Sequence, residues 1–243
     1  SEIMGRAHEV RAKSMAKTAA MKSKLYAKYS KEILIAAKSG VPDPEMNLAL
    51  KRLIDRAKKE QVPMDVIKRA IDKGCGNLGA DNYEEITYEG YGAGGVAIFI
   101  EAATDNRNRT ATNVKNAFTK GKGNVGTPGC VSFMFDKKGQ IIVDKEEFDG
   151  DSDELMMTAL DAGAEDFSEE EDSFEIFTTP EDFSAVRQAL EEAGIPMAGA
   201  EVTMIPQTYV ELTDEKDIAN IQKTLDMLDD DDDVQDVYHN WDE

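Results

Sequence analysis

Six cationic side chains near the start of the chain fall on one side of a helical wheel. At about 100° per residue, Arg6, Lys13, Lys17, Lys24, Lys28 and Lys31 occupy a sector about 60° wide. Aligned ammonium and guanidinium groups neutralise phosphates and release counterions. They carry no sequence code of their own. Further cations follow at Lys51, Arg52, Arg56 and Lys59. Arg107 and Arg109 stand in a polar turn before a helix expected from Thr110 to Lys120, where arginine forks and helix N-terminal amides both suit phosphate. Lys120 and Lys122 belong to a Gly-rich basic loop. These fourteen residues are the candidate nucleic-acid contacts. An ordinary solvated face is the competing reading for any one of them.

The elements that must hold these cations are helical. Residues 6–38 are rich in Ala, Lys and Met and contain no proline. Ala12, Met15, Ala16, Ala19, Tyr26, Ile33 and Leu34 form a sector opposite the cations, about 100° wide, that can pack. The wheel assumes continuity, with Ser23 as the place for a break. Val41-Pro42-Asp43-Pro44 ends this helix, and Asp43 is the expected N-cap of the next. In residues 45–60, Met46, Leu50, Leu53, Ile54 and Ala57 form an apolar stripe opposite the basic residues. Val62-Pro63 starts a third helix, which Gly74-Cys75-Gly76 terminates.

Charge is divided by position. Residues 1–79 hold 17 Lys and Arg against 9 Asp and Glu, whereas residues 133–243 hold 6 against 34. A basic first third on an acidic chain points to a polyanion, and the acidic remainder would repel it. Ser1-Glu2-Ile3 before Met4 is left out of the fold reading. No signal peptide or membrane span is expected, because no apolar run approaches the roughly 20 residues a span needs. Cys75 and Cys130 imply no disulfide framework and suit a reducing cytoplasm.

Little points to catalysis or to a cofactor. Gly90-Tyr91-Gly92-Ala93-Gly94-Gly95 matches a dinucleotide fingerprint, but the apolar run after it reads as a strand rather than the helix that phosphate binding requires. It is expected to be a hairpin turn. Asp229–Asp233 lacks the glycine and ligand spacing of a calcium loop and reads as a solvated acidic turn. His8 and His239, the two histidines, belong to no metal or triad pattern. No catalytic residue, metal or cofactor is therefore expected.

The remaining segments predict α+β architecture. Strands are expected at 84–91 and 96–103. Beyond residue 130, strands are expected at 131–136, 140–144, 165–168, 173–178 and 199–205. Helices are expected at 152–163 and 180–193. Such a mixture predicts a small sandwich with helices on one face of an antiparallel sheet. Tyr209–Leu212, a helix at 214–228 and a strand at 234–239 would complete the sheet begun at Glu84. The expected organisation is a basic helical domain (4–79), a discontinuous α/β domain (80–130 with 206–243) and an inserted acidic α/β domain (131–205). Both α/β domains would be small ferredoxin-like sandwiches.

Several motifs make a family resemblance specific. They are Tyr88-Glu89-Gly90-Tyr91-Gly92-Ala93-Gly94-Gly95, Thr104-Asp105-Asn106-Arg107-Asn108-Arg109-Thr110, Gly123-Asn124-Val125-Gly126 and Val131-Ser132-Phe133-Met134-Phe135. Ala162-Gly163-Ala164-Glu165-Asp166, Glu201-Val202-Thr203-Met204-Ile205-Pro206 and Val234-Gln235-Asp236-Val237-Tyr238-His239-Asn240 follow in family order. Over nearly its whole length the chain resembles the YebC family. The resemblance implies three domains, the third inserted in the second, and a cytoplasmic protein without catalysis. It carries two functional labels: DNA-binding transcriptional regulation, and translational activation, including ribosome-associated help with proline-rich stretches. The opening Met4-Gly5-Arg6-Ala7-His8-Glu9-Val10 is similar to a Met-Gly-Arg branch but lacks its usual Lys-Trp, so an aromatic that could stack on a base is missing there. Ala93 replaces a usual proline, with little expected consequence in a turn.

Two functions compete, and both make the chain a regulator of gene expression. Direct DNA reading needs an element aimed at base edges, and no helix-turn-helix pattern stands out. RNA or ribosome binding needs a cationic surface that follows irregular phosphates, which the lysine stripe could supply. The second is favoured. The expected partner is ribosomal RNA or DNA, reached within the ribosome or alongside RNA polymerase. No membrane is expected as a partner, and a monomer is favoured over an oligomer. A protein-docking adaptor built on the acidic domains is the third reading.

Overall fold

A computed structural model describes residues 19–75 and 83–243. Arg6, Lys13 and Lys17 lie outside the described residues. Three helices come first: α1 (Ala19–Ser39), α2 (Leu48–Lys59) and α3 (Met64–Cys75). α1 runs without a break at Ser23. The apolar faces of the three meet in a core of Tyr29, Ile33, Ala37, Leu50, Ile54, Ala57, Val62, Ile67 and Ala70. Gly74 lets α3 approach α1, since a Cβ there would lie 2.8 Å from both Ala37 Cβ and Leu34 O.

The cap of α2 is not Asp43. Asn47 takes that place: its side-chain oxygen accepts from Leu50 N at 3.1 Å, and its Nδ2 donates to Ala36 O and Val41 O. Asp43 instead accepts from Glu45 N in the turn before. One amide thus closes the end of α1 and opens α2, which a carboxylate could not do, having no donor.

β1 (Glu84–Tyr91) and β2 (Ala97–Thr104) form the expected hairpin, joined through a short 3-10 turn at Ala93–Gly95. α4 (Arg107–Lys120) and the two-residue β3 (Asn124–Val125) follow, and α7 (Glu215–Asp230) and β8 (Val234–His239) close this unit. The sheet order is β3-β1-β2-β8, all antiparallel. β8 therefore lies on β2, more than a hundred residues away in sequence. Ile98, Ile100, Val114, Phe118, Ile221 and Leu228 are fully buried there. Residues 19–131 and 213–239 make up one compact unit that includes α1–α3.

The second unit holds residues 132–212 and 240–243. It contains β4 (Phe135–Asp144), α5 (Ser152–Ala162), β5 (Asp166–Glu169), β6 (Ser173–Thr178), α6 (Phe183–Glu192) and β7 (Gly199–Pro206). The order β5-β6-β4-β7 with a helix after the first and third strands is the ferredoxin-like arrangement. Its core is Ile141, Val143, Leu155, Ala159, Phe174, Ile176, Phe183, Val186 and Leu190. The two strands expected at 131–136 and 140–144 are one. Lys137-Lys138-Gly139 is not a turn, because all three residues pair with β7. Gly139 serves close packing: a Cβ there would collide with Thr178 Oγ1 and the Phe183 ring. Tyr209–Leu212 forms no strand and contributes a single bridge, Val210 to Trp241.

Candidate nucleic-acid interface

α1 carries the described part of the lysine stripe. The three stripe lysines on α1, Lys24, Lys28 and Lys31, have different surroundings. Lys24 Nζ lies 2.5 Å from Asp230 Oδ1, with side chains 41% and 72% exposed respectively. Lys28 is half-buried, and its charge works with that of Arg56 against the high pKa values of Glu32 and Asp236. Lys31 points inward, at 12% exposure. Its ammonium donates to Ala103 O at 2.9 Å and to Asp232 O at 3.0 Å, lies 3.6 Å from Asp233 Oδ1 and sits 4.9 Å from the Tyr83 ring centroid. The wheel put Lys31 with the outward cations; tertiary packing gives it an internal role.

Arg107 and Arg109 are placed differently from the sequence expectation. α4 starts at Arg107, three residues earlier than expected, because Asn106 caps it by accepting from Arg109 N at 3.1 Å. Both arginines therefore sit on the first helical turn rather than in a loop. Arg109 grips Asp233 with two hydrogen bonds, Nε to Oδ2 at 3.0 Å and Nη2 to Oδ1 at 2.8 Å, and reaches Asp105 at 2.8 Å. Its fork is filled from within the chain. Arg107 lies 3.6 Å from Glu84 in an exposed pair.

Asp233 is the residue the sequence reading missed. It is buried and accepts from Thr110 Oγ1 at 2.8 Å as well as from Arg109. Burial pushes its carboxyl up, but the Arg109 and Thr110 hydrogen bonds and the Lys31 charge outweigh burial and hold it below the ordinary value. Its neighbour Asp231 is raised, mainly by burial and further by Asp233 and Asp232. The run Asp229–Asp233 is thus part solvated turn and part structural hub. The available signal was the departure from α-helix at its end, where the chain must turn into β8.

The remaining candidates are exposed residues. Lys51, Arg52 and Lys59 line the outer side of α2, beside Lys58, whereas Arg56, also exposed, borders the cleft toward the first sheet. Lys51 approaches Glu45 at 4.0 Å. On α3, Lys68, Arg69 and Lys73 are exposed, and Arg69 pairs with Asp65 one turn earlier at 2.7 Å. Lys120 and Lys122 flank Gly121 at the end of α4, and Lys122 has φ 65°. This loop is held closely: a Cβ on Gly121 would collide with Thr224 Oγ1, and one on Gly123 would lie 2.8 Å from Gly92 Cα.

Where α1 and α2 meet the first sheet, carboxylates collect. Glu32, Glu85, Glu101 and Asp236 line a cleft with Arg56. Burial, and then Asp236, push the Glu32 carboxyl up to about 7. Asp236 is also raised by burial, against Arg56 and Lys28. No group of three or more His, Cys, Asp or Glu side chains is disposed to hold a metal among the described residues. No helix among them is long and apolar enough to cross a membrane.

The chain matches known proteins over most of its length. Residues 6–77 match the TACO1/YebC protein N-terminal domain, and residues 83–241 match the TACO1/YebC second and third domain. It is 62% identical over 227 residues to a "Probable transcriptional regulatory protein" of Lachnoclostridium phytofermentans, covering 93% of this chain and 94% of that one. A protein of the same name from Clostridium beijerinckii is 52% identical, covering 97% of each. Among solved structures, the conserved hypothetical protein Aq1575 of Aquifex aeolicus superposes with a TM-score of 0.81 at 42% identity, over 93% of this chain and 92% of that one. The domain matches and identities at this coverage place the chain in the TACO1/YebC family.

Proposed function

We propose that the protein is a non-enzymatic, nucleic-acid-binding regulator of gene expression that acts on RNA or the ribosome as a translation factor. The observation that carries this reading is the spread of exposed cations over two helices. Lys51, Arg52, Lys58 and Lys59 on α2, with Lys68, Arg69 and Lys73 on α3, cover the outside of a domain whose inside is apolar. A broad cationic face meets phosphates along an irregular path and does not itself read bases. Assistance to synthesis of proline-rich stretches is one task such a factor would perform. The name carried by the relatives from Lachnoclostridium phytofermentans and Clostridium beijerinckii favours a second reading, DNA-binding transcriptional regulation. That reading requires side chains aimed at base edges.

Crosslinking the tagged protein in growing cells and sequencing the copurifying RNA and DNA separates the two. Ribosomal RNA concentrated at a few positions is expected. Promoter DNA with little RNA would overturn the translational reading in favour of the transcriptional one.

A further inference from the structure

The last turn of α7 and the bend that follows it bring five consecutive aspartates, Asp229–Asp233, against the basic face of α1. They divide by burial. Asp233 is locked by Arg109, Thr110 and Lys31, whereas Asp229, Asp230 and Asp232 are exposed. The turn does not need the charges of these three for its own geometry. The amide of Asp231 bonds to Leu228 O and that of Val234 to Asp231 O, while the Asp231 side chain accepts from Asp233 N at 2.9 Å. Consecutive carboxylates repel one another, so their concentration costs stability unless cations offset it. The offsetting cation at the exposed end is Lys24, the described lysine of the stripe that reaches solvent beside the turn. Its hydrogen bond to Asp230 holds its ammonium above the ordinary value, and the charges of Asp229 and Asp232 add to this.

An exposed Lys–Asp pair contributes only about 0–1 kcal/mol to stability, so it is a poor clamp but is readily exchanged. Its carboxylate lies where a phosphate would have to bind if the stripe were used. We infer that the Asp229–Asp230–Asp232 edge of this turn is an intramolecular stand-in for phosphate that masks Lys24, and that a nucleic acid must displace it to engage the α1 stripe. This rests on the proposed nucleic-acid function. The device weighs most on weak polyanions: a ligand contacting few phosphates gives up a larger share of its binding to displace the internal pair than one contacting many.

The test uses the full chain with Asp229→Asn, Asp230→Asn and Asp232→Asn combined, leaving Asp231 and Asp233 intact. A second variant, Asp149→Asn, Asp161→Asn and Glu192→Gln, removes the same charge from exposed positions of the other unit. Affinities for a labelled single-stranded RNA and a labelled duplex DNA are measured across a salt series, with melting temperatures as a check on folding. The turn variant is expected to bind about three- to tenfold tighter than the unaltered chain, with a steeper salt dependence. The matched variant should change much less. Adding Lys24→Gln to the turn variant should remove the gain. Equal gains in both triple variants would overturn masking and leave only net-charge repulsion. No gain in either would overturn it as well. If neither RNA nor DNA binds any of these proteins, the proposed function itself falls, and masking with it.

Discussion

The cations of α2 and α3 and those facing the Asp229–Asp233 turn have the same chemistry and opposite situations. Lys51, Arg52 and Lys59 stand outward on helices whose other sides are buried. Lys31 and Arg109, no less basic, are directed at one buried carboxylate. Counting lysines and arginines in sequence treats the two sets alike. The difference teaches that burial of the facing carboxylate, and not the basicity of the cation, decides how a charge is used. A buried carboxylate is costly without partners, so it claims the cations within reach. An exposed one claims little.

The sharpest way to break that comparison is to reverse charge on the stripe. Lys13→Glu, Lys17→Glu and Lys24→Glu together are expected to weaken nucleic-acid binding roughly a thousandfold or more and to flatten its salt dependence. Titration at several salt concentrations checks this, and unchanged binding would make the stripe an ordinary solvated face. Next in size is the buried hub. Asp233→Ala removes the buried carboxylate that Lys31, Arg109 and Thr110 share and should cost about 3–4 kcal/mol in urea unfolding. Lys51→Gln should cost almost nothing by the same measurement. The Asp233 carboxyl is held low in the fold, so its stabilisation is present above 3.8 and is lost as pH falls below that value. Stability of the unaltered chain should drop there more steeply than that of Asp233→Asn.

Glu32 sharpens the comparison from the opposite side, as a half-buried carboxylate whose cations do not suffice. Its folded value of about 7 exceeds the ordinary 4.5, so the fold takes up protons. Stability associated with this group is full below 4.5 and is lost as pH rises through 7. Glu32→Gln should flatten that decline and raise stability at pH 8 by roughly 1–3 kcal/mol, read from unfolding curves at pH 5 and pH 8. The smallest effect is expected at the exposed pair. Lys24→Gln should change stability by less than about 1 kcal/mol, because both partners are well solvated. A larger loss would give the turn a clamping role.

Much of the fold was legible in local pattern. The strands at Glu84–Tyr91 and Ser173–Thr178, the helix ending at Gly163 and the closing strand at Val234–His239 follow from β-branched and aromatic runs and from a left-handed glycine cap at φ 117°. The hairpin reading of the Gly90–Gly95 segment also follows, because a strand rather than a helix comes after it. The errors have identifiable causes. Lys137-Lys138-Gly139 resembles a turn, but β7 pairs with all of it and Phe183 fills the space a side chain on Gly139 would need. Asp43 resembles a cap, but Asn47 both accepts and donates between two helices. At Arg107 and Arg109, an Asn106 cap moved the helix start ahead of the arginines and changed them from loop residues to helix residues.

The sequence by itself determined most of the helices and strands, though not all of their ends, that the first third is cationic and that the last part is acidic. These properties depend on residue types at short spacing, which propensity and periodicity report. Tertiary structure alone decided which cations face outward. Lys24 and Asp230 are 206 positions apart, and Arg109 and Asp233 are 124 apart. No local pattern connects such residues. They meet because β8 returns to pair with β2, and that pairing places the aspartate turn beside α1 and α4.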